Sequence, residues 1–201
     1  MSDAEVPEHL RLSFLIGEVV RNDVAVESET RILAWELARL HVDSGIEEPE
    51  RDFGRLIKQV RRGLNNPGVP APFREIALRT IEASARAHRR RNLLVHDQWV
   101  YVEWNREVRS QRSAESSDFS EMRESADELI QLIWRTRAAW VIAPAWLGGG
   151  NSHEPSYEDP EDGLSAGEVR YWTRIAMGHI DLSGNQVAPI DGPAPLPPHL
   201  A

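Results

Sequence analysis

Residues 72–97 read PFREIALRTIEASARAHRRRNLLVHD. Pro72 suits the first turn of a helix, where its missing N–H costs nothing. Behind it Phe73, Ile76, Ala77, Thr80, Ile81, Ser84 and Ala87 recur at helical spacing. The pattern predicts a helix from about Phe73 to Asp97 with one buried stripe. That stripe starts bulky, thins to small residues and ends at Arg91, a gradient that predicts a cleft at that end. A helix with so long an apolar stripe needs other helices to cover it.

The flanking sequence supplies them. Asn65-Asn66-Pro67-Gly68 is a turn signal. Before it lies a helix from about Pro49 to Leu64, with Phe53, Leu56, Ile57, Val60 and Leu64 on one face. Its opposite face carries Arg51, Arg55, Lys58, Arg61 and Arg62. Earlier still, His9 to Val42 is helical by period, with Leu12, Leu15, Ile16, Val19, Leu33, Leu37 and Leu40 in its stripes. Asp23 interrupts the pattern, which leaves one long helix or two, and Asp43-Ser44-Gly45 ends it.

Downstream, Val100, Val102 and Trp104 alternate with polar neighbours as in a short strand, and a second strand is expected near Val108. The last core helix spans about Phe119 to Trp140, on the stripe Phe119, Met122, Ala126, Leu129, Ile133, Thr136 and Trp140. Pro144 and Gly148 to Gly150 are expected to end the bundle. Ser165 and Glu168 have capping-box spacing ahead of Val169, Trp172, Ala176 and His179, which predicts one short outlying helix. The proline-rich end, Ala188 to Ala201, is expected to be mobile. The expectation is therefore an all-α protein: a four- to five-helix bundle over residues 1–145 with a small β-hairpin after the third helix. Residues 146–201 form an acidic, Gly/Pro-rich C-terminal extension.

Composition narrows the class. The chain has 201 residues, 41% of them hydrophobic, which suits a globular domain and not a disordered one. The lack of cysteine rules out disulfides, thiolate metal sites and a cysteine nucleophile. No apolar run approaches the length needed to span a bilayer, and Met1 to Glu8 does not read as a signal peptide. A cytoplasmic location without membrane association follows as an expectation. The net charge of −9 argues against a protein that coats nucleic acid through bulk electrostatics. That charge is uneven: residues 151–201 hold eight acids against two arginines, whereas Arg86 to Arg112 holds seven arginines against three acids.

The chemistry sits at the end of the third helix. Arg91 and Asn92 are followed, four residues after Asn92, by His96. An arginine, a polar residue, a few apolar residues and a histidine, late in a helical bundle, resemble the signature of the HEPN superfamily (higher eukaryotes and prokaryotes nucleotide-binding). The resemblance covers roughly residues 8–142 and leaves the acidic end unassigned. It implies metal-independent RNA cleavage without a cofactor. The ribose 2′-hydroxyl attacks the adjacent phosphate and leaves a cyclic phosphate end. It also implies a homodimer that joins two motifs across a cleft, and a toxin or antiviral effector checked by an antitoxin or regulatory protein. Arg91 and His96 match the invariant pair and Asn92 the polar position.

These residues also make sense unaided. Asn92 and His96 share a helix face. His96 lies at a helix C-terminus, where the dipole favours the imidazolium, and a histidine can take or give a ribose proton. Arg91 can grip a phosphate with a bidentate fork and stabilise charge at phosphorus. Arg89, Arg90 and Trp99 are secondary candidates for RNA contact, and Asp97 a candidate to orient His96. No metal-ligand spacing occurs. Two other readings stay open: a non-catalytic nucleotide- or RNA-binding module, and a dimeric interaction protein in which the motif is structural.

Overall fold

The computed structural model describes residues 6–40, 46–96, 99–102, 107–110, 116–117, 120–147, 164–181, 184–188 and 192–200. The helix that carries the motif is α3 (Ala71–Val95), and every residue of its predicted stripe from Phe73 to Ala87 is buried. Around it stand α1 (Glu8–Leu40), α2 (Phe53–Leu64), α4 (Ser120–Leu147) and α5 (Ala166–Met177). Among the described residues no helix is long and apolar enough to cross a membrane.

Helix α4 is the centre of the bundle, packed against α1, α3 and α5. Asn22 donates to the Ala126 carbonyl and, seven residues on, Glu29 meets Arg137 and Trp140, so α1 and α4 run parallel. Arg90 lies beside Glu124 and Glu128 while Ser84 lies beside Thr136, so α3 runs antiparallel to α4. The core joins Leu33, Leu37, Leu56, Phe73, Ile81, Leu129 and Ile142, all fully buried. Each such side chain contributes roughly 1.5–3 kcal/mol when removed from water. The hydroxyls on these faces cost little, because Thr30, Thr80, Ser84 and Thr136 each donate to a carbonyl one turn back.

Three short strands follow α3: β1 (Trp99–Val102), β2 (Glu107–Ser110) and β3 (Ser116–Ser117), antiparallel in the order β1-β2-β3. Val100 pairs with Arg109, and Val102 with Glu107.

Several sequence expectations change. Helix α1 is continuous, with Asp23 inside it and buried. Helix α2 starts at Phe53 and not near Pro49, because the Asp52 side chain accepts from the Arg55 N–H at 2.8 Å and caps it there. Pro144 does not end α4, which continues to Leu147. The lost hydrogen bond is offset by burial of Ile142, Ala143 and Trp146 on the same turns. The small residues late in α3 form a close helix contact. They let α4 approach, with the Ser84 hydroxyl 3.5 Å from that of Thr136.

The C-terminal segment also departs from expectation. Helix α5 begins with the capping box read from Ser165 and Glu168 and ends at Gly178, whose φ of 75° is the left-handed C-cap that glycine allows. It is not outlying. Val169, Thr173, Ile175 and Ala176 are buried, and Ile175 and Ala176 belong to the same core as α1 and α3. The proline-rich end packs as well: Ala194 and Pro197 are buried, and Pro198–Leu200 forms a 3₁₀ turn. The helix stops expected at Asp43 to Gly45 and Gly148 to Gly150, Phe119 of the α4 stripe, and the acidic run 151–163 lie outside the described residues.

Candidate functional site

Arg91 is the last charged residue on the inward side of α3, and its side chain is 19% exposed. Its Nε lies 3.3 Å from Oδ2 of Asp23, close enough for an ion pair but poorly angled for a hydrogen bond. Its Nη1 donates to Oδ1 of Asn92 at 2.6 Å. Nη2 has no hydrogen-bond partner among the described residues. Two contacts thus fix the plane of the guanidinium, and among the described residues one edge of its fork stays free.

Asp23 is the residue that does most to organise this corner. Its side chain is 3% exposed. A carboxylate so deep in a helix interface is costly unless it is paired and hydrogen-bonded. His88, one turn before Arg91, supplies the second partner: its Nδ1 is 2.9 Å and 3.1 Å from the two oxygens of Asp23. The other face of the imidazole is held by Phe53 of α2, with ring centroids 4.7 Å apart. Three helices therefore meet at a cluster of Asp23, His88 and Arg91.

His96 lies elsewhere on the same helix. It is the C-cap of α3: its backbone N–H donates to the Asn92 carbonyl at 3.1 Å, and its side chain is exposed. It lies five positions after Arg91, so it sits about 7.5 Å further along the axis and about 140° round it. The motif is thus split. Arg91 turns towards α1, while His96 joins the outward row of Arg86, Arg89 and Leu93. Among the described residues no contact joins the two side chains. A cavity of about 300 Å³ beside Ala71, Ile76 and Met177, and another of about 310 Å³ beside Trp134, Arg135 and Ile175, are not lined by Arg91, Asn92 or His96.

The secondary candidates divide similarly. Arg89 is exposed, whereas Arg90 lies 3.5 Å and 3.6 Å from the carboxylates of Glu124 and Glu128 on α4. Trp99 opens β1 opposite Ser110. Asp97 lies outside the described residues, so nothing about its relation to His96 is drawn. Among the described residues no three His, Asp or Glu side chains gather as metal ligands.

A second buried carboxylate sits two turns along α1. Glu29, 7% exposed, accepts from Arg137 and, at 2.8 Å, from the Trp140 indole N–H. The hydrogen bond to Glu29 raises the Arg137 pKa above its ordinary value. Arg137 also lies over the Trp134 ring, 4.8 Å from its centroid. Arg135 behaves oppositely: burial, then Arg86 and Arg79, push its pKa down.

Sequence reading passed over Asp23 and His88 as functional residues. The signal for Asp23 was present as a carboxylate on an apolar stripe, but its partners lie 65 and 68 residues away. His88 is one turn before the motif arginine and carries no motif of its own. Comparison with family models, with characterised proteins and with solved structures finds no match.

Proposed function

We propose that the chain is a metal-independent endoribonuclease of the HEPN type that works as a homodimer, in the cytoplasm, as a toxin or antiviral effector held in check by an antitoxin or other regulatory protein. The observation that carries the reading is the Arg91 guanidinium, fixed by Asp23 and Asn92, whose Nη2 edge has no partner among the described residues and can meet a phosphate oxygen. His96, exposed at the helix end, is the proton carrier. It takes the proton of the 2′-hydroxyl as the O2′–P bond forms. The P–O5′ bond then breaks, O5′ recovers a proton, and a 2′,3′-cyclic phosphate is left. Because Arg91 and His96 point to different sides of α3, a second copy is needed to bring an arginine and a histidine to one phosphate. Arg89 and Trp99 are the contacts expected to hold neighbouring nucleotides.

A second reading has its own observation. Asp23 is nearly inaccessible, and Arg91 lies beside it as a counter-charge, which is sufficient reason for an arginine here with no RNA at all. The motif would then belong to a non-catalytic binding module or an interaction protein. RNA cleavage in EDTA by wild type, His96→Ala and Arg91→Ala separates them. The ribonuclease reading expects wild-type cleavage, a loss of about 10²- to 10⁴-fold for His96→Ala, and unchanged melting for that variant, since its side chain is exposed. A wild-type protein that leaves RNA intact favours the second reading.

A further inference from the structure

Four arginines on the outer helix faces sit beside a carboxylate on their own helix. Arg21 pairs with Glu18, Arg31 with Glu27, Arg39 with Glu36 and Arg79 with Glu75, each at 2.7 Å. Helix α2 has no such carboxylate to offer. Between Phe53 and Leu64 it contains no acid. Arg55, Lys58 and Arg62 are exposed at steps of three and four, and Arg51, just before the helix, extends the row. Among the described residues none of these four side chains makes an ion pair. Asp52 is occupied as the helix cap.

Like charges at this spacing repel, so the row carries a standing cost that an i,i+4 carboxylate would remove. Among the described residues no carboxylate offsets this row by an ion pair, in a chain of net −9 with 32 acids. From Arg55 to Arg62 the helical part of the row spans about 10 Å at the helical rise. Its neighbouring side chains are separated by a step comparable to that between successive phosphates of a nucleic-acid backbone. The row also starts in the right place. Phe53, at the head of α2, packs on His88, which shares Asp23 with Arg91.

We infer that Arg51, Arg55, Lys58 and Arg62 form a docking track for the sugar–phosphate backbone of RNA, leading away from the Arg91 corner along α2. The choice of RNA as the polyanion rests on the ribonuclease reading; the track itself rests on the geometry. It recognises charge and spacing, not base sequence.

The test uses the full chain and a fluorescein-labelled, twelve-nucleotide, all-2′-O-methyl RNA of mixed sequence, which offers no 2′-hydroxyl to attack. Binding is followed by anisotropy across a salt series, for wild type and for Arg51→Gln, Arg55→Gln, Lys58→Gln and Arg62→Gln combined. Each cation lost should make the log–log salt dependence shallower by about 0.7, so the fourfold variant should lose roughly 2 to 3 in slope. Its affinity at low salt should fall more than about tenfold. The pairwise variant Arg55→Gln/Arg62→Gln should lose about half that slope, and stands in if the fourfold variant melts early. An unchanged slope, or no binding by wild type, overturns the track, as does binding to phosphatidylserine vesicles in place of the RNA. Cleavage of ordinary RNA is scored separately. Binding without cleavage keeps the track and sinks the ribonuclease, whereas cleavage undiminished in the fourfold variant does the reverse.

Discussion

Replacing Asp23 by alanine tests the organisation of the Arg91 corner. The carboxylate is 3% exposed, the His88 Nδ1 lies 2.9 Å from it, and Arg91 lies 3.3 Å away. Removing it leaves a guanidinium 19% exposed without a counter-charge. Breaking a fully buried pair from one side costs about 3–5 kcal/mol. Here Arg91 and His88 keep partial access to water, at 19% and 25%. Part of the cost is therefore relieved, and about 2–4 kcal/mol is expected, in line with the loss of one charge-assisted hydrogen bond and an orphaned partner. For a domain of this size, 1 kcal/mol moves the melting temperature by about 2–4 °C, so a fall of roughly 5–15 °C should appear in a thermal scan. Asp23→Asn keeps the shape and one acceptor and should lose less. A double-mutant cycle with His88→Gln should give a coupling of about 0.5–3 kcal/mol, as contacting residues do. Melting of Asp23→Ala within about 2 °C of wild type, or additive effects in the cycle, would refute the claim that this carboxylate holds the corner together.

Other outcomes follow from the same contacts. Glu29→Ala orphans Arg137 and the Trp140 indole; urea denaturation should show a loss of about 2–4 kcal/mol, with a change in tryptophan emission. Truncation before residue 164 removes buried Val169, Ile175 and Ala176 from the core, so calorimetry should show no cooperative transition, in place of a stable bundle with a tail trimmed off. Hydrogen bonds from Ser165 lower the Glu168 pKa, so this carboxylate stabilises the fold above its unfolded-state pKa and stops doing so as pH falls through the lowered folded value. The stability gap between wild type and Glu168→Ala should therefore be present at pH 7 and close in acid, and a gap independent of pH would contradict the capping role.

Much of the bundle was legible because burial and period coincide. The α3 stripe from Phe73 to Ala87 and the capping box at Ser165 could be read residue by residue, since each depends on neighbours within a turn or two. Pro144 misled because its local rule, the missing N–H, was outweighed by Ile142, Ala143 and Trp146, whose burial depends on other helices. The site was harder. The spacing of Arg91, Asn92 and His96 stands in the sequence, but which way Arg91 turns is decided by Asp23 on α1. Periodicity shows that a carboxylate lies on a buried face without naming what stands opposite. The small residues late in α3 allow close packing on α4, a contact that depends on Thr136, 52 residues away.

The place of α5 in the core bears on when the molecule becomes a molecule. Helices α1 to α4 emerge from the ribosome first, yet Ile175 and Ala176, which fill the same interior as Leu33 and Phe73, emerge after them. Until they arrive, the nascent chain presents an open apolar seam along α3 and α4, the sort of surface that chaperones bind. Assembly is thus withheld until synthesis has passed α5, and a chain stalled before that point remains a substrate for quality control.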